Sequence, residues 1–241
     1  IPLEEVSRLE SLPGEGPEWC AVLPRVWRDR DESALRTLLE WARALGFTGV
    51  LIGNLGHLPL VRGLDFHLYG DYGLNVFNSR SLAYLKDKEL ESACVSFELR
   101  FAQIRDLKKV LRAEAIVYGR LPLMITENCL VQNETGCRLD RQGLCVPEDG
   151  PCRCGQPNVL VDRTGAAFPL LPAYGHRTEI QNSKPLYLAD RPEHRRLGLA
   201  YARLRFTTET AEECVSVVQN YLDAAPAAGD FTRGLYERGV E

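Results

Sequence analysis

The sequence predicts an α/β fold, a TIM-like (β/α) barrel that is incomplete at its N-terminal end. From residue 20 onward, short apolar runs alternate with segments whose apolar residues recur at helical spacing. This alternation is typical of β/α units on a parallel sheet. Seven strands are predicted in the 241 residues, whereas a complete barrel has eight strands and about 250 residues. An open doubly wound sheet is the alternative fold. No Gly-x-Gly-x-x-Gly follows any predicted strand, which argues against the dinucleotide-binding domains that have this fold.

Seven apolar runs of strand length define the predicted sheet. They lie at residues 21–26, 49–54, 66–71, 93–98, 115–119, 185–189 and 201–206. Helices are predicted at residues 31–45, 78–87, 100–112, 192–199 and 208–224. Asp29 or Asp31 is the predicted N-cap of the first helix and Gly46 its C-cap. Thr210 and Glu213 fit a capping box at the start of the last helix.

Residues 121–184 interrupt the alternation with cysteine, glycine and proline, and we expect them to form an insertion with a Cys-rich loop. Two apolar runs in this segment flank Thr164-Gly165, which predicts a β-hairpin from strands at 158–163 and 167–171. Residues 1–18 are polar and rich in Gly, Pro and Glu. They predict an arm or linker that precedes a single barrel-type domain over residues 19–241.

The composition excludes several classes of protein. Hydrophobic residues make up 45% of the chain and charged residues 26%, which is too hydrophobic for a disordered chain. The net charge of −4 argues against non-specific binding to nucleic acid. Since no run of 18 apolar residues exists, we expect a cytoplasmic protein without contact to a membrane. The chain starts with Ile1-Pro2 and no secretory signal follows, which indicates a processed chain or a piece of a longer one.

Five of the eight cysteines lie close together in the chain, at positions 129, 137, 145, 152 and 154. Disulfides would need an oxidising compartment and would leave one of the five unpaired, and unconnected loop cysteines are a second alternative. We favour a metal site, because an ion offsets the repulsion and desolvation of converging thiolates. The wide spacings suit an iron–sulfur cluster, but the residues alone leave zinc equally open. Cys20, Cys94 and Cys214 are expected to be small buried side chains.

Several segments resemble the collagenase-like peptidases, unassigned peptidase family thirty-two. Residues 114–129, which include Arg120-Leu-Pro-Leu-Met and Thr126-Glu-Asn-Cys129, look like its signature segment. Residues 161–169 match its DR-x-G-x-x-F-P stretch, residues 180–186 its N-S-x-x-L stretch, and residues 231–240 its terminal R-G motif. Pro122 and Glu127 depart from the signature, which has Cys and Gly at these positions. The resemblance covers roughly residues 20–240 and implies a TIM-like barrel in which two β/α units precede the strand at Ala21.

The resemblance also implies a reaction and a cofactor. Although the family is labelled as peptidases, it contains oxygen-independent hydroxylases that act on RNA bases or a ubiquinone precursor. They carry a four-iron (4Fe–4S) cluster on four cysteines and use prephenate as oxygen donor. By position, Cys129, Cys137 and Cys154 match the first three cluster ligands, and His176 stands near the fourth. A histidine can ligate an iron–sulfur cluster or complete a zinc site with three thiolates. If His176 is only a surface residue, Cys145 or Cys152 supplies the fourth thiolate.

Polar side chains at the carboxyl ends of the predicted strands are the other candidates, because barrel enzymes place their chemistry there. We expect Asp71, Glu98 and Arg120 to be catalytic, in that they position the substrate or co-substrate. The predicted substrate-binding residues are Asn54, Asn75 and Arg205. Arginine suits a carboxylate or phosphate, since its guanidinium group binds both in a bidentate manner. The alternative is that these residues form structural ion pairs between neighbouring strand ends.

Three functions remain open at this point. The first is a cytoplasmic, metal-dependent hydroxylase of a nucleobase in RNA or a similar small-molecule ring, with prephenate as co-substrate and a related chain as partner subunit. The second is a peptidase, as the family label implies, although neither Gly-x-Ser-x-Gly nor His-Glu-x-x-His occurs in the sequence. The third is a non-catalytic zinc-containing barrel that binds a partner protein.

Overall fold

The computed structural model describes residues 1–12, 14, 16–139, 145–146 and 152–239. Part of the predicted Cys-rich loop and Val240 of the terminal motif therefore lie outside the described residues. The chain divides into two compact units, and the expected single domain stays a prediction. The first unit comprises Ile1–Val117, Arg191–Arg203 and Arg233–Glu241, and the second Tyr118–Asp190 and Leu204–Thr232.

A parallel sheet forms the centre of the first unit. Its strands are β1 (Cys20–Val22), β2 (Gly49–Ile52), β3 (His67–Gly70), β4 (Ser92–Cys94) and β5 (Arg112–Gly119). They pair in chain order and each pair is parallel. A doubly wound sheet reverses its strand order part-way, whereas a barrel keeps it. The prediction of a barrel-type α/β fold is confirmed in this coarse form, as a sheet that corresponds to part of a barrel.

Helices connect these strands. They are α1 (Glu32–Leu45), α2 (Leu58–Val61), α3 (Ser79–Asp87) and α4 (Phe101–Asp106). Helix α1 buries Leu35, Leu39 and Ala42, which lie on one face at helical spacing, and it ends at Gly46 in the left-handed conformation, as predicted. Residues 3–8 form a 3₁₀ helix that buries Leu3 and Val6.

Helix α4 is shorter than the predicted helix at 100–112. Leu107 leaves the helical conformation with a ψ of 130°. Lys109 Nζ then donates to the backbone carbonyl oxygens of Ile104 at 2.6 Å and of Arg105 at 3.2 Å. The lysine thereby satisfies carbonyl groups that a helix end leaves without partners.

The second unit is built from a four-stranded antiparallel sheet and further short elements. The sheet has the order β6 (Pro122–Thr126), β11 (Arg177–Gln181), β10 (Ala167–Ala173) and β9 (Asn158–Val161). The other elements are α5 (Leu130–Thr135), β7 (Arg138–Leu139), β8 (Cys145–Val146), β12 (Leu186–Tyr187), β13 (Tyr201–Arg205) and α6 (Ala211–Asp223). Strand β13, which pairs with β5, contributes residues to both units.

The predicted hairpin is confirmed, with Ala167 opposite Val161 across the turn at Thr164-Gly165. The capping box of α6 is also confirmed, since Thr210 N donates to Glu213 Oε2 at 2.7 Å and Glu213 N donates to Thr210 Oγ1 at 3.3 Å.

The predicted strand at 185–189 differs from the expected β/α series. It is the two-residue strand β12, and it runs antiparallel to the end of β5, with Leu186 opposite Gly119. Parallel pairing requires a crossover connection, usually a helix, whereas the chain reaches β12 directly from the antiparallel sheet. The predicted helix at 192–199 is likewise reduced to a 3₁₀ helix, Pro192–Arg196.

Candidate metal site and strand-end residues

Strand pairing in the second unit brings the distant cysteine positions together. Because β6 and β11 pair with Thr126 opposite Thr178, Cys129 and His176 lie just beyond the same end of the two strands. A hydrogen bond from Leu130 N to Thr178 Oγ1, at 3.0 Å, closes this end. Strands β7 and β8 pair with Leu139 opposite Cys145, which brings Cys145 close to Cys137.

Three cysteine sulfurs form the core of the candidate metal site. The Sγ atoms of Cys137, Cys145 and Cys152 all lie within 4.8 Å of one another. Two further side chains that can bind a metal contact this group. Cys154 Sγ lies 3.1 Å from Cys152 Sγ, and His176 Nδ1 lies 3.4 Å from Cys145 Sγ. We call these five side chains, together with Cys129, whose charge acts on Cys154, the thiol site. Its members are Cys129, Cys137, Cys145, Cys152, Cys154 and His176.

The thiol site contains no disulfide bond. All eight cysteines lie in the described part of the chain, and each is a free thiol. Cys94, outside the thiol site, is fully buried as predicted, whereas Cys20 and Cys214 are only partly buried.

The environment of the sulfurs shifts their pKa values in opposite directions. Burial, followed by hydrogen bonds to Cys152 and Cys137, raises the pKa of Cys145. Burial and the neighbouring Cys152 also raise the pKa of Cys154, to about 11. A hydrogen bond from the backbone of Cys154 lowers the pKa of Cys152. A bound metal ion would deprotonate these thiols, since only the thiolate is a ligand.

The carboxyl edge of the parallel sheet places Asp71 in a buried ion-pair network. Asp71 Oδ1 accepts from Arg203 Nη1 at 2.5 Å and from Tyr72 N at 2.8 Å. Arg203 Nε also pairs with Glu114 on β5. Sequence reasoning missed Arg203 and Glu114, although each is a charged residue within a strand.

The other predicted site residues of the first unit are Asn54, Asn75 and Glu98, and each of them is exposed or partly buried. Asn54 Oδ1 accepts from Gly56 N at 2.8 Å and so begins a 3₁₀ turn. Asn75 is exposed and has a left-handed backbone with a φ of 47°. Glu98 is partly buried, and its backbone N donates to Ser96 Oγ at 3.3 Å. Thus Asp71 takes part in an ion pair, whereas Asn54 is a turn residue.

His57 is a buried residue at the same edge that the sequence did not single out as a base. It has no exposed surface, and its Nε2 lies 3.0 Å from the carbonyl oxygen of Pro24. A carbonyl oxygen only accepts, so Nε2 carries the proton, and Nδ1 has no hydrogen-bond partner among the described residues. Burial lowers the pKa of His57 to about 4, so the ring is neutral at pH 7.

Arg120 and Arg205 lie together in the second unit. Arg205 Nη1 donates to the Arg120 carbonyl oxygen at 2.7 Å, and its Nη2 pairs with Glu179 Oε1 at 2.7 Å. Arg120 Nη1 donates to the carbonyl oxygen of Asn182 at 3.0 Å and to that of Ser183. Arg120 precedes β6 and Cys129 follows it, so the length of this five-residue strand, about 17 Å, separates the backbone of Arg120 from Cys129.

Comparison with known proteins decides the family. The sequence profile of Peptidase family U32 matches residues 13–159, more than half of the chain. The chain belongs to Peptidase family U32. No curated protein and no solved structure shows a significant match to it. Among the described residues, every helix is too short or too polar to cross a membrane.

The U32 match confirms the resemblance that the sequence motifs predicted. All five clustered cysteines lie inside the matched segment, whereas His176 lies beyond its end. The motifs at 161–169, 180–186 and 231–240 also lie beyond it, and their agreement with the family stays a prediction.

The cofactor implied by the U32 resemblance is a four-iron cluster, and the converging sulfurs do not fit it well. Two sulfurs bound to one ion at about 2.3 Å are at most about 4.6 Å apart. The separations of up to 4.8 Å among Cys137, Cys145 and Cys152 are close to this limit. In a four-iron cluster each thiolate binds a different iron atom, which holds the sulfurs farther apart. The sulfurs of Cys137, Cys145 and Cys152 therefore suit a single metal ion better than a four-iron cluster.

Proposed function

We propose that this U32 chain is a metal-dependent enzyme that hydroxylates a nucleobase of RNA, or a similar ring, without molecular oxygen. The observation that carries the proposal is the convergence of three cysteine sulfurs in a member of this family. Free thiols at this separation, with two more donors in contact, are a ready set of ligands for a thiophilic metal. The metal would supply the redox or Lewis-acid chemistry.

The roles proposed for the chain's own residues follow from their contacts. Arg203 and Tyr72 N both bind Asp71 Oδ1, so they fix this carboxylate and leave Oδ2 to accept from a ring N–H group or hydroxyl of the substrate. Glu98, at the end of the neighbouring strand, would have a similar role. Asn54 and Asn75 are proposed to bind the substrate through their amide groups.

Arg120 and Arg205 are proposed to bind an anionic group. Arg120 has a buried Nε without a hydrogen-bond partner among the described residues, which leaves one donor for a carboxylate. Prephenate, the proposed oxygen donor, carries carboxylates that match a guanidinium group. Arg205 would act mainly by holding the Arg120 backbone, to which it donates a hydrogen bond.

The metal, the location and the partner belong to the same proposal. The resemblance implies an iron–sulfur cluster, whereas the spacing of the three sulfurs favours a single ion, for which zinc is the alternative. We further propose a cytoplasmic location and a related chain as partner subunit.

Mass spectrometry of nucleosides tests the reaction. The full chain, purified without oxygen and with its metal retained, is incubated with RNA and prephenate, and the RNA is then digested. We expect a nucleoside heavier by one oxygen atom, with a yield that falls in Glu98→Gln but not in the control Glu212→Gln on exposed α6. If the metal-loaded chain yields no hydroxylated product from RNA or from free aromatic rings, the proposal fails.

A peptidase is the second candidate, and the family name is the observation that favours it. Incubation of the full chain with gelatin and peptide libraries, with and without a chelator, measures this activity directly. We expect no cleavage. Reproducible cleavage that is lost in Cys129→Ser would favour the peptidase.

A further inference from the structure

We infer that Cys137, Cys145, Cys152 and His176 bind one metal ion in tetrahedral geometry. The inference rests on the proposed function only in that a metal is bound at the thiol site. The inferred ligand set differs from the one that the resemblance implies. The resemblance points to Cys129 and Cys154, whereas we infer Cys145 and Cys152. The inferred site also differs in stoichiometry, with one ion in place of four iron atoms.

Bond lengths support a single ion. With metal–sulfur bonds of about 2.3 Å and metal–nitrogen bonds of about 2.0–2.1 Å, a tetrahedral site has sulfurs about 3.8 Å apart and sulfur and nitrogen about 3.6 Å apart. The three sulfurs lie within 4.8 Å of one another, no more than about 1 Å above the tetrahedral value, and the 3.4 Å between Cys145 Sγ and His176 Nδ1 agrees with it. Small rotations of the three cysteine side chains would therefore bring their sulfurs onto one ion, and His176, which contacts Cys145, would join them by turning its ring toward the same point.

The backbone at His176 supports its role as the fourth ligand. His176 has a φ of 60°, a left-handed conformation that is uncommon for residues other than glycine. Arg177 holds the adjacent turn, since its Nη1 donates to the Tyr174 carbonyl oxygen at 3.0 Å and its Nη2 pairs with Glu127 at 2.9 Å. Such strain persists only where surrounding contacts enforce it, and here it places the imidazole against Cys145.

Cys154 is the competing fourth ligand, and its position makes it the poorer one. Its sulfur lies 3.1 Å from that of Cys152, closer than two sulfurs on one tetrahedral ion. Like His176, Cys154 lies outside the group of three sulfurs, but its 3.1 Å separation departs from the tetrahedral value, whereas the 3.4 Å separation of His176 agrees with it. Cys129 does not belong to this group either. We therefore place both cysteines outside the ligand set.

Metal analysis of the full chain, purified without oxygen, tests the stoichiometry. We expect one iron or zinc ion per chain and no acid-labile sulfide. Replacement of the ion by Co²⁺ should give the visible bands of a tetrahedral site with thiolate ligands, and their intensity should reach its end point at one Co²⁺ per chain.

Variants test the ligand set. We expect Cys145→Ser and His176→Ala each to weaken Co²⁺ binding by more than about 100-fold, because loss of a ligand exceeds the effect of losing its supporting contacts. The matched controls Cys129→Ser and Cys154→Ser should bind Co²⁺ as the unmodified chain does. Circular dichroism of each apo variant shows whether it folds. If Cys145→Ser does not fold, the His176→Ala variant and the titration of the unmodified chain decide.

The outcomes separate this inference from the proposed function. Four iron and four sulfide ions per chain, lost in Cys129→Ser, would overturn the single ion but support the hydroxylase. One iron ion per chain would support both. One zinc ion would support the inference and count against a redox hydroxylase. Retention of the metal in Cys145→Ser and His176→Ala would overturn the ligand set.

Discussion

Arg203 Nη1 donates to Asp71 Oδ1 across 2.5 Å, and the same guanidinium group pairs with Glu114. The side chain of Arg203 is only 18% exposed and that of Asp71 only 4%. Within the described part of the chain, both carboxylates therefore pair with the same cation, Arg203, at the carboxyl edge of the parallel sheet. Burial alone would lower the pKa of Arg203, but the charges of Asp71 and Glu114 raise it, so Arg203 stays charged.

Removal of this cation should destabilise the fold. Replacing Arg203 with Met leaves two largely buried carboxylates uncompensated, and we expect the free energy of unfolding to fall by about 3–5 kcal/mol in urea denaturation. The matched control is Arg8→Met, which removes an ion pair with Glu5 whose side chains are 76% and 42% exposed. It should change the free energy of unfolding by less than about 1 kcal/mol. Equal losses in both variants would contradict the role of the buried network.

The stability of the chain should depend on pH through His57. The pKa of this histidine is about 4 in the fold and about 6.5 in the unfolded chain. As the pH falls from 6.5 to 4, the unfolded chain takes up a proton that the fold does not, so stability falls over this range. The loss reaches about 3 kcal/mol near pH 4. The measurement is urea denaturation at a series of pH values, with His57→Gln as control. Between pH 6.5 and pH 4, the free energy of unfolding of this variant should fall by about 3 kcal/mol less than that of the unmodified chain.

Gly119 is predicted to tolerate no side chain. It has a φ of 114°, and a Cβ atom there would lie 2.0 Å from the carbonyl oxygen of Arg205. Gly119→Ala should therefore introduce both backbone strain and a steric clash, and the free energy of unfolding should fall by about 3 kcal/mol or more. Gly165 is the matched control, because its φ is 85° but no atom lies within 4 Å of the added Cβ. Thermal melting should show a loss of only about 1–2 kcal/mol for Gly165→Ala.

The capping box of α6 gives a smaller, local prediction. Thr210→Ala removes the oxygen that accepts from Glu213 N and should cost about 1 kcal/mol in the free energy of unfolding. Ser216→Ala, in the middle of the same helix, removes only a bond to the Glu212 carbonyl oxygen and should be neutral, since alanine favours helix. If Thr210→Ala is as stable as the unmodified chain, the box contributes nothing to stability.

The sequence by itself determined the local elements and the family. Apolar runs and cap residues such as Gly46 and Thr210 act over a few residues, so their spacing predicted α1, α6, the hairpin and the central strands. The order of the strands followed from β/α alternation, which permits only short right-handed crossovers. The motifs around Arg120 and Cys129 are specific enough to indicate the family from the sequence alone.

The tertiary structure alone decided which side chains meet. Strands β6 and β11 pair across more than fifty residues, and no local pattern encodes that register. This pairing, with that of β7 and β8, selected Cys145 and Cys152 as neighbours of Cys137. It likewise took the fold to join Arg203 to Asp71 across 132 positions of the chain. Such contacts depend on distances in space, whereas helices and turns depend on distances along the chain.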